Sequence, residues 1–222
     1  MPVPPPPPPS LPARLYLLAW DAGRGRPAGG AHLHHLVRAG ALTELAQRGL
    51  LADEDGIVTP ADADARTGDR ALDGLLELVA ESRPRTWKSW VSLRARVTLA
   101  EVREQLTADG WLRPRRRRIL GLFPKAGFEP VRTDAVAVLR ADVRDVLTGP
   151  VPTAEVPKDG AALVALVAAA ELRTVVSGRE RRRHKERIEA LAERAGAAGP
   201  ALRQVIGEVR ALAIVAATSG GG

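Results

Sequence analysis

The sequence has no cysteine. That excludes disulfides, thiolate metal centres and cysteine nucleophiles, and it fits a reducing compartment. Aromatic residues make up 3% of the 222 residues, so the core must be built from Leu, Val, Ile and Ala. Long hydrophobic runs are missing too. The most apolar window, Ala161 to Ala170, is followed at once by Glu171, whereas a spanning helix needs about 20 such residues. No basic segment precedes the early apolar stretch Leu15 to Trp20, so the start does not read as a signal peptide. G-x-S-x-G, P-loop, G-x-G-x-x-G and H-E-x-x-H signatures are absent. Asp62, Asp64, Asp69 and Asp73 are spaced for a turn and a helix start, which suits capping rather than catalysis. These absences predict a non-enzymatic, cytoplasmic protein without a cofactor or metal.

What is present points to a globular chain with an anionic partner. Hydrophobic residues make up 45% and charged residues 27%, a balance that supports a packed core. The length suits one domain plus tails. Lys and Arg number 33 against 26 Asp and Glu, a net charge of +7. Such a surface expects nucleic acid, an acidic membrane or an acidic protein segment. Heavy use of Ala, Arg and Gly points to a GC-rich, bacterial source.

Residues 1–12 read as a disordered Pro-rich tail, with Pro4 to Pro9 in polyproline II. Residues 13–218 read as the folded domain, and residues 219–222 as a flexible Gly-rich end. Within the domain, periodicity predicts mostly helices. They cover Ala13 to Trp20, Ala31 to Arg48, Asp69 to Ser82, Thr86 to Arg94, Thr98 to Asp109 and Thr133 to Leu147. A further, almost wholly apolar helix, capped by Asp159, runs to about Val176 and should lie at the domain centre. Capping boxes are read at Thr98 with Glu101 and at Ser177 with Glu180. The latter opens a charged helix to about Ala195, and Gly199-Pro200 starts the last one. Asp55-Gly56 between apolar pairs predicts a β-hairpin. A second, strongly basic excursion spans Trp111 to Val131. The fold class is therefore all-α: a central apolar bundle ringed by amphipathic helices, with one or two β-hairpins.

One internal echo bears on function. Glu44-Leu-Ala-Gln-Arg-Gly-Leu-Leu51 resembles Gln105-Leu-Thr-Ala-Asp-Gly-Trp-Leu112. In each, a helix stops at Gly and runs into a candidate hairpin. This is also how a winged helix-turn-helix reads, with Arg113 and Arg115 to Arg118 on a wing that touches phosphate. His32 and His35 share a helical face, a spacing that can hold a metal, but no carboxylate is paired with them; solvated or capping histidines are favoured. His34, His35 and Arg38 could line an anion site, helped by the helix N-terminus. The run Arg179 to Arg187 reads first as a solvated face with local ion pairs and second as a lipid-facing surface.

Several of these pieces, in this order, resemble the Golgi phosphoprotein 3-like family, in a bacterial, actinobacterial-type form. They are the Glu44 to Leu51 block, Thr67-Gly-Asp-Arg-Ala-Leu-Asp73, Thr86 to Val91 with Trp90, Val102 to Leu106 leading to Gly110-Trp-Leu112, and Gly121-Leu-Phe-Pro124. The resemblance covers about Leu15 to Ala169. It implies a single mostly helical domain with a protruding hairpin, peripheral on a membrane and not enzymatic. Family members in eukaryotes bind phosphatidylinositol 4-phosphate and cytosolic tails of glycosyltransferases, and the hairpin is associated with membrane contact and self-association. Residue by residue, Arg38 matches the headgroup-binding arginine on the second helix, and Arg96 the first of a later pair. The second of that pair falls near Leu99, and the family's tryptophan near Gly29. Arg94, Arg103 and Trp20 are the candidate substitutes.

The expectation is a protein on the cytosolic membrane face that binds acidic phospholipid headgroups through Arg38 and Arg96. A basic, membrane-facing hairpin carries Arg113, Arg115, Arg116, Arg117 and Arg118, with Leu120, Leu122 and Phe123 placed to dip into the headgroup layer. Protein tails or a second copy at the hairpin are further expected partners. The alternatives are a DNA-binding protein or a protein-interaction scaffold.

Overall fold

The computed structural model describes residues 9–119, 123–196 and 205–213. It is mainly helical. Helix α1 (Leu11–Leu18) is followed by a small antiparallel pair, β1 (Trp20–Asp21) and β2 (Arg26–Pro27), and a 3-10 turn (Gly30–His32). Helix α2 (Leu33–Gln47) leads into β3 (Leu51–Glu54) and β4 (Ile57–Pro60), then α3 (Arg70–Glu81), β5 (Arg85–Thr86), α4 (Trp87–Ser92) and α5 (Ala95–Ala108). The long hairpin β6 (Leu112–Ile119) and β7 (Phe123–Pro130) follows, then α6 (Thr133–Thr148), a 3-10 turn (Thr153–Glu155), α7 (Lys158–Ala169), α8 (Gly178–Arg183) and α9 (Lys185–Ala195). A last helix, α10, covers 205–213.

The core forms around α1, α2 and α7. Every residue of α7 from Ala161 to Ala169 is buried, as a helix apolar on all faces requires. Helix α1 begins at Leu11 rather than Ala13, because Leu11 is itself core and its N–H donates to Glu44 Oε2 at 2.7 Å. Helices α1 and α2 approach so closely that a Cβ on Gly40 would sit 2.5 Å from Leu15 Cδ1. Arg14 pairs with Asp159 at 3.2 Å, tying α1 to α7.

The echo is a shared helix stop. Gly49 and Gly110 both adopt positive φ, 71° and 73°. In each case the next residue's N–H, from Leu50 or Trp111, reaches back to the carbonyl of Leu45 or Leu106. This is a Schellman ending, which favours Gly at that position. After it, each chain enters an antiparallel ladder. In the first hairpin, Asp55 (φ 52°) and Gly56 (φ 83°) form the tight turn that the Asp-Gly pair predicts. In the Thr67 to Asp73 block, Asp69 caps α3 through the N–H groups of Ala71 and Leu72. Asp73 accepts from Thr67 N and Thr67 Oγ1 at 2.6 and 2.7 Å.

Four local readings are corrected. Thr98 is not a cap: α5 starts at Ala95, with Arg94 in the left-handed region as N-cap, and Thr98 is buried inside the helix. Asp159 likewise lies inside α7, whose N-cap is Pro157. That helix stops at Ala169, not Val176. Glu171 takes positive φ (51°) there, and the Leu172 N–H bonds the Val167 carbonyl, completing a Schellman ending without glycine. Finally, the charged helix breaks at His184 into α8 and α9, although its Ser177–Glu180 capping box forms as expected. Two strand pairings, β1–β2 and β4–β5, were not expected. The start of the last helix at Gly199-Pro200 lies outside the described residues.

Candidate functional site

The N-terminal ends of α2 and α5 come together. Gly29 and Gly30, both with positive φ (85° and 42°), turn the chain from β2 into the first turn of α2. That turn carries His32, His34 and His35, with Arg38 one turn further on. Neither α2 nor α5 has an acidic residue in its first turn. The positive ends of two helix dipoles are thus left without the usual carboxylate complement. Arg96, exposed on the first turn of α5, is close enough for its charge to act on both His34 and His35. The His34 and His35 ring centroids lie 3.9 Å apart, and those of His32 and His35 6.1 Å.

Arg38 is the unusual group. It is 1% exposed, and its Nε and Nη1 are buried without a hydrogen-bond partner. Burial lowers its pKa to about 10, opposed in part by the charge of Glu101. Glu101 is half-buried, and burial raises its own pKa against the attraction of Arg38 and Arg70. No ion pair joins Arg38 to Glu101 among the described residues. Burying guanidinium nitrogens without acceptors is costly, and an anion reaching them would offset that cost. The histidines carry the same signature. Burial first, then Arg96 and His32, hold His34 below its ordinary range. Burial, His34, His32 and Arg96, in that order, hold His35 down to about 4. The Nδ1 atoms of His32 and His35 are buried and unpartnered. Among the described residues no group of three metal-capable side chains converges.

Of the three candidate substitutes for pocket residues, Trp20 and Arg103 make contacts elsewhere, and Arg94 stands at the start of α5. Trp20 is buried in β1, and its carbonyl accepts from Arg140. Arg103 stacks over Tyr16 at 5.3 Å and Phe128 at 5.7 Å, at the base of the long hairpin. Arg94 is exposed as the N-cap of α5.

The basic hairpin is partly neutralised at its base. Glu129, opposite Arg113 in the ladder, accepts from Arg113 Nε at 2.6 Å and faces Arg115 Nη1 at 3.0 Å. The Arg113 hydrogen bond is the main reason its carboxyl lies below the ordinary range. The sequence reading missed Glu129; its signal was a lone acid that the hairpin register sets opposite Arg113. Further out, Arg116, Arg117 and Arg118 face Ala126, Lys125 and Pro124, so no carboxylate opposes them across the ladder. Their side chains, and residues 120–122 with the Phe123 side chain, lie outside the described residues.

In the run Arg179 to Arg187, three cations are engaged in structure. Arg181 pairs with Glu171 at 2.7 Å, Lys185 with Glu189 at 3.8 Å, and Arg187 donates to the Val146 and Val151 carbonyls. Among the described residues no helix is long and apolar enough to cross a membrane. Compared with known families, residues 11–209 match the model of the Golgi phosphoprotein 3 (GPP34) family. No curated protein matches the chain.

Proposed function

The chain belongs to the Golgi phosphoprotein 3 family, and on that premise we propose that it is a peripheral membrane protein binding acidic lipid headgroups of the phosphatidylinositol 4-phosphate type. Its binding is non-enzymatic and takes place on the cytosolic membrane face. The observation that supports this reading is Arg38: a buried guanidinium with two unpartnered nitrogens, on the helix whose acid-free first turn meets that of α5, where Arg96 stands. A phosphate group supplies the acceptors that the protein does not, in a geometry suited to guanidinium donors. The outer arginines of the long hairpin add long-range attraction to an anionic surface, at about 1 kcal/mol per basic residue near it. The family resemblance adds protein tails, and self-association through the hairpin, as secondary partners.

Liposome flotation at about 0.15 M salt, where the Debye length is about 8 Å, tests the assignment. Vesicles of neutral phosphatidylcholine are compared with vesicles carrying phosphatidylinositol or phosphatidylinositol 4-phosphate at matched total charge. Flotation is expected with acidic vesicles alone, with preference for the 4-phosphate, and the Arg38→Met, Arg96→Ala double variant should lose the preference. Equal flotation of the wild type on both acidic lipids would refute the pocket.

A further inference from the structure

We propose that the groove where α2 and α5 end is a docking site for an extended, basic segment of a soluble protein partner, one that sets an apolar side chain between two Lys or Arg residues. It does not rest on the headgroup reading: the residues are different, they stand at the other ends of these helices, and the charge they select is opposite.

The groove has a volume of about 970 Å³, at the upper end of the usual range for binding clefts. The start of α1, the ends of α2 and α5 and one side of α6 line it. Helices α2 and α5 have 15 and 14 residues. At about 1.5 Å per residue, the groove is therefore about 20 Å from the N-terminal ends that carry the histidines and Arg96. A partner seated in it stays clear of a lipid surface met by those ends.

Charge and spacing choose the occupant. The walls carry Glu44, Asp69, Asp109, Asp134, Asp142 and Asp159 against Arg14, Arg48 and Arg132, although the chain as a whole has a net charge of +7. Three of these acids are committed: Asp159 pairs with Arg14, Glu44 pairs with Arg48, and Asp69 caps α3. Arg132 lies over the Trp111 ring at 5.5 Å. Asp109, Asp134 and Asp142 have no ion pair among the described residues. Two of them belong to a pattern. Asp134, Val138 and Asp142 follow one another at four-residue spacing on α6, so they share one face, about one helical turn apart. All three line the groove and are exposed, Val138 at 61%. The stripe therefore reads acid, apolar, acid, with a step of about 5.4 Å. In an extended peptide, side chains on one face recur every second residue, about 6.8 Å apart. A cation, an apolar residue and a second cation at alternate positions thus lie along the stripe, each opposite its complement. Such complementarity fixes orientation and rejects wrong partners. Nucleic acid and acidic lipid are repelled by the same carboxylates.

The test is selection from a phage library of random twelve-residue peptides on the wild type, with counter-selection on Val138→Arg. Because Val138 is exposed, that change places a cation in the stripe without disturbing the core. Enrichment of peptides with Lys or Arg two residues to either side of an apolar residue is expected. By fluorescence anisotropy, the most enriched peptide should bind Val138→Arg, and the Asp134→Asn, Asp142→Asn variant, about tenfold more weakly than the wild type. The difference should shrink at high salt. Saturating phosphatidylinositol 4-phosphate vesicles should leave the peptide affinity unchanged, and failure of the protein to bind those vesicles counts against the headgroup reading alone. No enrichment, enrichment of acidic peptides, or equal binding by wild type and variants overturns the proposal. Uncharged proline-rich peptides would instead assign the groove to a segment such as Pro4 to Pro9, and self-association abolished by Val138→Arg would assign it to a second copy; either overturns it. Displacement of the peptide by vesicles overturns the soluble partner.

Discussion

Arg38 and the hairpin arginines are the same residue type under opposite conditions. Arg38 is buried, and its Nε and Nη1 find no acceptor among the described residues. Arg113 and Arg115 are exposed, and both already share Glu129. Position in the fold decides what each charge can do. A desolvated guanidinium interacts strongly and at short range with whatever anion reaches it, because the low local dielectric gives little screening. Charges on an exposed ladder interact weakly one by one, but they sum over distance and are screened by salt. On the proposed reading the two regions divide the work: the hairpin would supply attraction, and the α2–α5 site choice.

The largest effect should come from the hairpin's outer end. Replacing Arg116, Arg117 and Arg118 by Gln removes three charges that no carboxylate opposes in register. At about 1 kcal/mol each, vesicle affinity at low salt should fall by about a hundredfold, with the lipid preference kept. Partitioning onto acidic vesicles measures it. Next comes Arg38→Met, which should weaken binding to phosphatidylinositol 4-phosphate about tenfold and abolish the preference. The same change should leave the fold as stable or raise its stability by about 1 kcal/mol or more, because a well-packed apolar side chain often replaces a buried charge without loss. Thermal unfolding and flotation of one sample separate the two effects.

A third prediction uses pH. The Arg38 pKa is lowered to about 10, so the unfolded chain holds this proton more tightly than the native state does. The group opposes folding throughout the neutral range, and that opposition fades as pH rises through about 10 toward the ordinary arginine value. The stability gap between Arg38→Met and wild type should narrow over that window; a gap that widens contradicts the burial argument. The smallest effect is expected from Glu129→Gln. It frees Arg113 and Arg115, and it should tighten binding to acidic vesicles slightly, the gain vanishing at high salt.

Much of the architecture was legible because local signals agreed with the global fold. Gly49 and Gly110 end helices, Asp55-Gly56 turns a hairpin, and Ala161 to Ala169 has no polar face to expose. Readings failed where a residue's neighbours in space outweighed its neighbours in sequence. Thr98 with Glu101 has the capping pattern, but the helix begins a turn earlier and Thr98 is core. Glu171 takes a backbone shape that glycine usually fills, which no residue pattern announces. At the site, Arg38 and the histidines were visible as a cluster on α2. The burial of Arg38 and the field of Arg96 on the histidines come from packing α5 against α2, 58 positions apart in the chain for Arg38 and Arg96. Glu129 went unseen for a similar reason, since its pairing with Arg113 depends on hairpin register.

The division of labour is tested most directly by vesicle affinity as a function of salt, for wild type, Arg38→Met and the Arg116, Arg117, Arg118→Gln variant on phosphatidylinositol 4-phosphate vesicles. The account predicts that the hairpin variant flattens the salt dependence. It predicts that Arg38→Met lowers affinity at every salt concentration while keeping the wild-type slope. A flattened slope for Arg38→Met, or an unchanged slope for the hairpin variant, would contradict it.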